Sequence, residues 1–142
     1  RVWEADRAYR NGSWGYVGGT IFGTTYPIAD TGDDALFQRE RLWTGPARPG
    51  YRFTAPNGEY EVTLRFAETY WNLPNKRKFN VVIEGITKLS ALDIYTLAGG
   101  KNRAAPDQVF TVAVTDGELT IDFVSLPGFD RPKVNAIQIR RQ

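Results

Sequence analysis

Apolar and polar residues alternate along several stretches of this chain, which is the period-two pattern of a β-strand with one buried face. In residues 59–67, apolar side chains occupy every second position and polar ones lie between them. The apolar positions are Tyr60, Val62, Leu64 and Phe66. Residues 78–84 repeat the pattern, β-forming residues dominate 109–114 and 119–124, and the run 133–140 is apolar at four of its positions. These patterns predict a series of short strands.

Turn residues separate the predicted strands. Asn57-Gly58 precedes the strand at 59–67, and Asp116-Gly117 joins 109–114 to 119–124, which predicts a hairpin there. Helical periodicity is absent, although residues 32–41 have room for one short helical turn. We therefore expect an all-β fold, specifically a β-sandwich.

Two stretches show no strand pattern, and we expect them to be loops. Residues 9–28 are rich in Gly, Thr and aromatic residues, and residues 44–50 contain Pro46, Pro49 and two glycines. Loops lie on the surface and often carry function, so aromatic residues within them are candidates for ligand binding.

Length and composition restrict the possible functions. The 142 residues suit a single domain spanning 1–142, and no repeat or linker divides them. The chain has no Cys and no His, which excludes thiol and imidazole catalysis and His- or Cys-ligated metals. Gly18-Gly19 lacks the spacing of a phosphate-binding loop, and we expect no cofactor. No acidic cluster has the spacing of a calcium loop and we assign no metal ligand, although the sequence leaves a structural metal ion open.

Charge and hydropathy argue against two kinds of partner. No apolar run approaches the length of about 20 residues that a membrane helix needs. The net charge is only +2, too small to favour strong binding to a nucleic-acid backbone. Since the chain begins with Arg1 and contains no Met, we expect it to be a piece of a longer protein.

The adjacent aromatic residues Tyr70 and Trp71 follow the strand at 59–67 and precede strand-breaking residues at 72–75. One interpretation is a platform on which a sugar ring or a base stacks. The other is structural, because Tyr70 is in phase with Tyr60 to Phe66 and would then cap the core. The residues alone leave both open.

Other candidates are weaker. Trp14, Tyr16 and Trp43 lie in or beside the predicted loops. There they either contribute to a binding site or pack the loop against the sandwich. Lys76-Arg77-Lys78 is a solvated turn or, together with Tyr70-Trp71, part of a single-strand nucleic-acid site.

Two carboxylates complete the candidates. Asp130 lies on a turn before the last predicted strand, where it either forms the turn or accepts hydrogen bonds from ligand hydroxyls. Glu68 and Asp130 together would make the carboxylate pair of a glycosidase. No spacing rule supports that pair, so we expect a protein that is not an enzyme.

Several segments together resemble the malectin and malectin-like domain family. They are Leu36-Phe37-Gln38-Arg39-Glu40-Arg41, Arg65-Phe66-Ala67-Glu68-Thr69-Tyr70-Trp71, Lys78-Phe79-Asn80-Val81, Asp93-Ile94, Ala98-Gly99-Gly100 and Pro132-Lys133-Val134-Asn135-Ala136-Ile137. The resemblance spans nearly the whole chain in order. It implies a jelly-roll-like β-sandwich lectin fold that binds carbohydrate through loops at one end.

The resemblance also implies binding residues. The aromatic pair of the family maps onto Tyr70 and Trp71, its late Asp onto Asp130, and its early Tyr onto Tyr16. A further family Tyr falls on Leu42, and we expect the neighbouring Trp43 to replace it as a wall of the site.

The start of the chain, Trp3-Glu4-Ala5-Asp6-Arg7-Ala8-Tyr9, resembles malectin-like modules attached to bacterial glycoside hydrolases of the β-galactosidase type. This implies a carbohydrate ligand, a covalently linked catalytic domain, and a secreted or periplasmic location. Two other functions remain open: a structural spacer that packs against its enzyme without binding sugar, and a single-stranded nucleic-acid binder.

Overall fold

The computed structural model describes residues 3–45 and 48–142. Pro46, within the loop expected at 44–50, lies outside the described residues. In chain order the strands of the described part are β1 (Trp14–Val17), β2 (Thr20–Gly23), β3 (Arg39–Leu42), β4 (Gly50–Thr54), β5 (Gly58–Arg65), β6 (Phe79–Ile83), β7 (Ile86–Leu92), β8 (Gln108–Val114), β9 (Glu118–Ser125), β10 (Lys133–Val134) and β11 (Ala136–Arg141). The helices are α1 (Asp34–Gln38) and α2 (Ile94–Ala98).

The strands form a two-layered sandwich, as the sequence predicts. One layer is a five-stranded sheet in the order β1-β4-β9-β6-β7. The other consists of two three-stranded sheets, β11-β5-β8 and β10-β3-β2. All the pairs between these strands are antiparallel. The all-β class is confirmed, and so are the strands expected at 59–67, 78–84, 109–114 and 119–124. The strand expected at 133–140 is divided at Asn135 into β10 and β11.

Asn135 joins the two halves of the second layer. It separates β10, which pairs with β3, from β11, which pairs with β5. Its side-chain oxygen accepts a hydrogen bond from the Ala67 N–H at 2.8 Å. Its amide donates to the carbonyls of Phe37 at 3.0 Å and Arg39 at 2.9 Å. One side chain therefore fixes the end of β5, the end of α1 and the start of β3.

The core lies between the layers and is built from alternate positions of the strands, as the period-two pattern requires. The fully buried residues of β5, β6 and β9 are Val62, Leu64, Phe79, Val81, Ile83, Leu119, Ile121 and Phe123. Phe66, just beyond β5, belongs to the same cluster. The residues that follow β5 leave this packed region at one end of the sandwich.

The hairpin predicted at Asp116-Gly117 is wrong. β8 pairs with β5, whereas β9 pairs with β4 and β6, so the turn connects the two layers. Asn57 lies at the other crossing, between β4 and β5, and its side chain accepts a hydrogen bond from the Gly117 N–H at 2.8 Å. The two turns thus bind each other. Gly117 has a φ of 75°, which satisfies the turn chemistry without deciding which strands pair.

The loop expected over residues 9–28 is also wrong in part, because it contains β1 and β2. Trp14 of β1 stacks on Phe53 of β4, with ring centroids 5.9 Å apart. Strand β2 pairs with β3, and all four of its residues are exposed. An edge strand without a buried face carries no alternation, so the pattern could not reveal it.

The short helix expected within residues 32–41 is confirmed as α1, whereas α2 was not predicted. The Asp93 carboxylate accepts a hydrogen bond from the Thr96 N–H at the start of α2, and the Gly99 N–H donates to the Tyr95 carbonyl at its end. Asp before and Gly after a segment are recognised helix boundary signals, and they were present in the sequence. The described part of the chain has no helix long and apolar enough to cross a membrane.

Trp43 lies in the core, which corrects the expectation that it walls a binding site. It is 1% exposed and stacks on Phe123 with ring centroids 4.9 Å apart. Its indole N–H donates to the Val17 carbonyl at 3.0 Å. At Gly19, a Cβ would stand 2.9 Å from the Trp43 Nε1 and 2.7 Å from the Leu42 carbonyl oxygen, so the indole leaves no room for a side chain there.

We expect Trp43→Ala to lower the free energy of unfolding by about 3–5 kcal/mol, because it leaves a cavity between the layers. Urea unfolding followed by circular dichroism measures this loss without relying on tryptophan fluorescence. Tyr26→Ala is the control, because Tyr26 is 64% exposed. A loss for Trp43→Ala no greater than that of the control would contradict the core position.

Candidate functional site

Tyr70 and Trp71 lie on the loop that follows β5. Tyr70 is 59% exposed, so it does not cap the core, and the structural interpretation of this residue is wrong. Trp71 is partly buried. The two rings meet edge to face, with centroids 5.0 Å apart and planes at 88°. Such a contact orients one ring by the other while Tyr70 faces solvent.

The buried carboxylate of Glu68 holds the backbone of this aromatic pair. Its Oε2 accepts hydrogen bonds from the Tyr70 N–H at 3.2 Å and from the Trp71 N–H at 3.3 Å. Glu68 is 1% exposed. A buried charge is costly unless it is paired, so Glu68 needs a cation beside it.

Arg77 supplies that cation. Its Nε donates to Glu68 Oε1 at 2.8 Å, and Arg77 is itself 2% exposed. Its Nη1 donates to the Arg131 carbonyl at 2.6 Å, and its Nη2 lies 3.5 Å from Asp130 Oδ2. Arg77 therefore links the loop that carries the aromatic pair to the turn before β10.

Asp130 completes a ring of contacts by returning to the aromatic pair. The Trp71 indole N–H donates to its Oδ2 at 2.9 Å, and the Arg131 N–H donates to its Oδ1 at 2.7 Å. Burial by itself would raise the pKa of Asp130, but the Arg131 N–H and the Arg77 charge outweigh it and hold the pKa below its ordinary value. Asp130 therefore remains ionised as an acceptor.

A second buried ion pair lies beneath this ring. Lys133 is fully buried, and its Nζ lies 2.5 Å from Glu40 Oε1 while it also donates to the Ala67 carbonyl. Burial lowers the pKa of Lys133, and the Glu40 charge opposes that shift. The Thr69 hydroxyl donates to the same Glu40 oxygen at 3.2 Å. The pair thus ties β3 and β10 to the residues just before Tyr70.

The structure brings together three of the five predicted site residues: Tyr70, Trp71 and Asp130. Tyr16 has different neighbours, because the Arg41 guanidinium lies 3.4 Å from its ring centroid. Trp43 is in the core, as described above. Glu68 and Arg77 position the other three residues. The sequence suggests Glu68 only as half of a catalytic carboxylate pair, and Arg77 only as a solvated charge or part of a nucleic-acid site.

Two sequence interpretations are corrected here. Lys76-Arg77-Lys78 is not a solvated turn throughout, because Arg77 is buried and paired. Glu68 and Asp130 are close through Arg77, but Glu68 is shielded from solvent and its oxygens are already bound. A glycosidase needs both carboxylates beside the scissile bond, so this arrangement does not suit that chemistry.

Comparison with known proteins identifies a family. The model of the malectin domain family matches residues 1–137. Malectin-B of Xenopus laevis is 26% identical over 137 residues, an alignment that covers 84% of this chain and 48% of the relative. The chain thus spans about half the length of that relative. The resemblance inferred from the sequence segments is confirmed.

Solved structures agree with this match. A Bacteroides uniformis β-glucuronidase superposes with a TM-score of 0.85 and 29% identity, over 99% of this chain and 16% of the enzyme chain. The extracellular domain of ANXUR2 from Arabidopsis thaliana gives a TM-score of 0.76 at 18% identity, over 89% of this chain and 40% of the other. The second likeness is one of fold alone.

We expect Arg77→Met to destabilise the fold by about 3–5 kcal/mol, because it leaves the Glu68 carboxylate buried and unpaired. Adding Glu68→Gln should restore part of this loss, which urea unfolding of the single and double variants measures. Arg140→Met is the matched control, because Arg140 pairs with Glu61 at 2.9 Å on the surface. Equal losses for Arg77→Met and the control would refute the proposed importance of the buried pair.

The depressed pKa of Asp130 predicts a dependence of stability on pH. A carboxyl whose folded pKa lies below its unfolded value stabilises the fold above that unfolded value, and the contribution disappears as pH falls through the folded pKa. The stability difference between the native chain and Asp130→Asn should therefore shrink as pH falls from about 7 to about 2. Urea unfolding across this range tests it, and a constant difference would show that Asp130 makes no such contribution.

Proposed function

The chain belongs to the malectin domain family, and on that premise we propose that it is a non-catalytic carbohydrate-binding module whose ligand contacts Tyr70, Trp71 and Asp130. The observation that carries the proposal is an exposed tyrosine ring beside a tryptophan whose indole is fixed by a carboxylate. Aromatic faces of this kind stack on the apolar faces of sugar rings, and polar groups beside them select the orientation.

Asp130 supports the proposal because it retains capacity to bind a ligand. An ionised carboxylate has about four lone-pair sites. The Trp71 indole and the Arg131 N–H occupy one on each oxygen, and Arg77 stands 3.5 Å from Oδ2. The side chain is 28% exposed. A sugar hydroxyl therefore has an acceptor beside the aromatic pair.

Tyr16 is a proposed contact through the family resemblance alone. The Arg41 guanidinium covers its ring. The site built from Tyr70, Trp71 and Asp130 is shallow, so we expect a dissociation constant between about 1 mM and about 1 µM.

The match to part of a glycoside hydrolase supports a proposal about the larger protein. The superposition covers 99% of this chain and 16% of the Bacteroides uniformis β-glucuronidase. We infer that this module is covalently linked to the catalytic domain of a glycoside hydrolase, which it directs to polysaccharide. A secreted or periplasmic location in a bacterium follows from that inference.

One observation favours the spacer function as a second candidate. Ile21 and Phe22 of edge strand β2 are 53% and 48% exposed. An edge strand with exposed apolar residues is a surface on which another domain packs. A spacer would dock through this strand and would bind no glycan at Tyr70.

We expect Tyr70→Ala and Trp71→Ala each to weaken glycan binding at least about tenfold, because each removes an aromatic surface worth about 1.4 kcal/mol or more. A glycan array identifies ligands for the native chain, and calorimetric titration of one array-positive oligosaccharide measures the variants. Tyr26→Ala removes another exposed tyrosine and should bind like the native chain.

The contrary outcomes are distinct. Binding that survives both Tyr70→Ala and Trp71→Ala would place the site elsewhere on the domain. A folded sample that binds nothing on the array would support the spacer instead. Trp71→Phe adds a finer test, because it keeps an aromatic ring while it removes the indole N–H that donates to Asp130, together with part of the ring surface.

A further inference from the structure

Lys76 and Lys78 stand on either side of the buried Arg77, beside the proposed binding surface. The Lys76 Nζ lies 5.7 Å from the centroid of the Trp71 ring. The Lys78 Nζ lies 5.6 Å from the ring of Phe129, the residue before Asp130. The side chain of Arg77 is buried, whereas Lys76 is exposed and Lys78 is partly exposed.

The acidic groups near these lysines already have other partners. Glu68 is buried against Arg77, and Asp130 binds Trp71 and the Arg131 N–H. The Asp93 carboxylate accepts from the Asn75 N–H at 2.6 Å and from the Thr96 N–H at 3.3 Å. These contacts are internal to the fold.

The lysines themselves have no such compensation. In residues 3–45 and 48–142, neither amine lies within 4.0 Å of a carboxylate. The Arg131 side chain adds a third cation that is 43% exposed, with its Nε 3.9 Å from Asp130. Two exposed cations, Lys76 and Arg131, and the partly exposed Lys78 therefore lie beside the aromatic pair and Asp130.

Building on the proposed function, we propose that the ligand of this surface is an anionic polysaccharide, whose sugar rings carry carboxylate or sulfate groups. The aromatic pair stacks on a sugar ring while Lys76, Lys78 and Arg131 bind the anionic groups of that ring and its neighbours. A neutral polysaccharide would offer these cations no anionic partner. Charge complementarity at such a rim raises the association rate and selects among ligands of similar shape.

A polysaccharide fits this surface better than a nucleic acid does. Single-strand binders combine a continuous basic groove with several stacking platforms. Here the middle residue of the basic run is buried and neutralised by Glu68. The edge-to-face contact also turns the Tyr70 and Trp71 planes 88° apart, so the two rings cannot receive successive parallel bases.

The test is a calorimetric comparison of four probes: an oligogalacturonate, a heparin oligosaccharide, a neutral cello-oligosaccharide and an oligothymidylate. We expect one or both anionic oligosaccharides to bind more tightly than the neutral one. The double variant Lys76→Gln/Lys78→Gln should weaken that binding about 3- to 30-fold, as two exposed ion pairs would. Added salt should weaken it as well.

A variant with the same change of charge serves as the control. Arg10→Gln/Lys88→Gln also removes two positive charges, from the turn before β1 and from β7. It should bind the anionic probe like the native chain. Circular dichroism verifies that both double variants remain folded.

Each outcome has a definite meaning. Preference for the oligogalacturonate assigns carboxylates as the recognised groups, and preference for heparin assigns sulfates. Equal binding of neutral and anionic sugars, unaffected by the lysine variant but lost in Tyr70→Ala, overturns the anionic ligand and leaves the carbohydrate function standing. Tighter binding of the oligothymidylate overturns the proposal in favour of a nucleic acid. Binding of no glycan on the array or among the probes refutes both the function and this inference.

Discussion

The buried ion pair between Glu68 and Arg77 is the interaction on which the exposed aromatic surface depends. Glu68 accepts hydrogen bonds from the backbone N–H groups of Tyr70 and Trp71. Arg77 pairs with Asp130, which accepts a hydrogen bond from the Trp71 indole N–H. Either charge alone would be strongly unfavourable when buried, so the loss of Glu68 or of Arg77 would disrupt the contacts of both residues. The geometry of this exposed surface is thus fixed by two residues that are themselves shielded from solvent.

Burial of four charged side chains at one end of a sandwich is tolerable because they occur as two opposite pairs. Glu40 and Lys133 lie beside Glu68 and Arg77, and the sum of the four charges is zero. The field outside is then governed by exposed groups. This separation lets the buried residues fix the geometry through strong hydrogen bonds while the exposed residues set the charge of the surface.

The sequence predicted the strands that have one buried face, such as β5 and β6, because burial itself creates the alternation. It did not predict β2, whose residues are all exposed, or the crossing at Asp116-Gly117. A turn dipeptide sets local backbone angles, but the choice of partner strand depends on the contact with Asn57 from a distant turn. A local pattern of apolar and polar residues does not determine which distant strands pair.

The site shows the same division between local and distant information. Tyr70 and Trp71 could be proposed from their position after a strand, and Asp130 from the family resemblance. Arg77 looks like any member of a basic run until Glu68 is placed beside it. The expectation for Trp43 is wrong because neither position 42 nor position 43 reaches the surface. Leu42 is 4% exposed and Trp43 is 1% exposed. The Trp43 ring stacks on Phe123 and so belongs to the core, a burial that the loop-like sequence around it does not indicate.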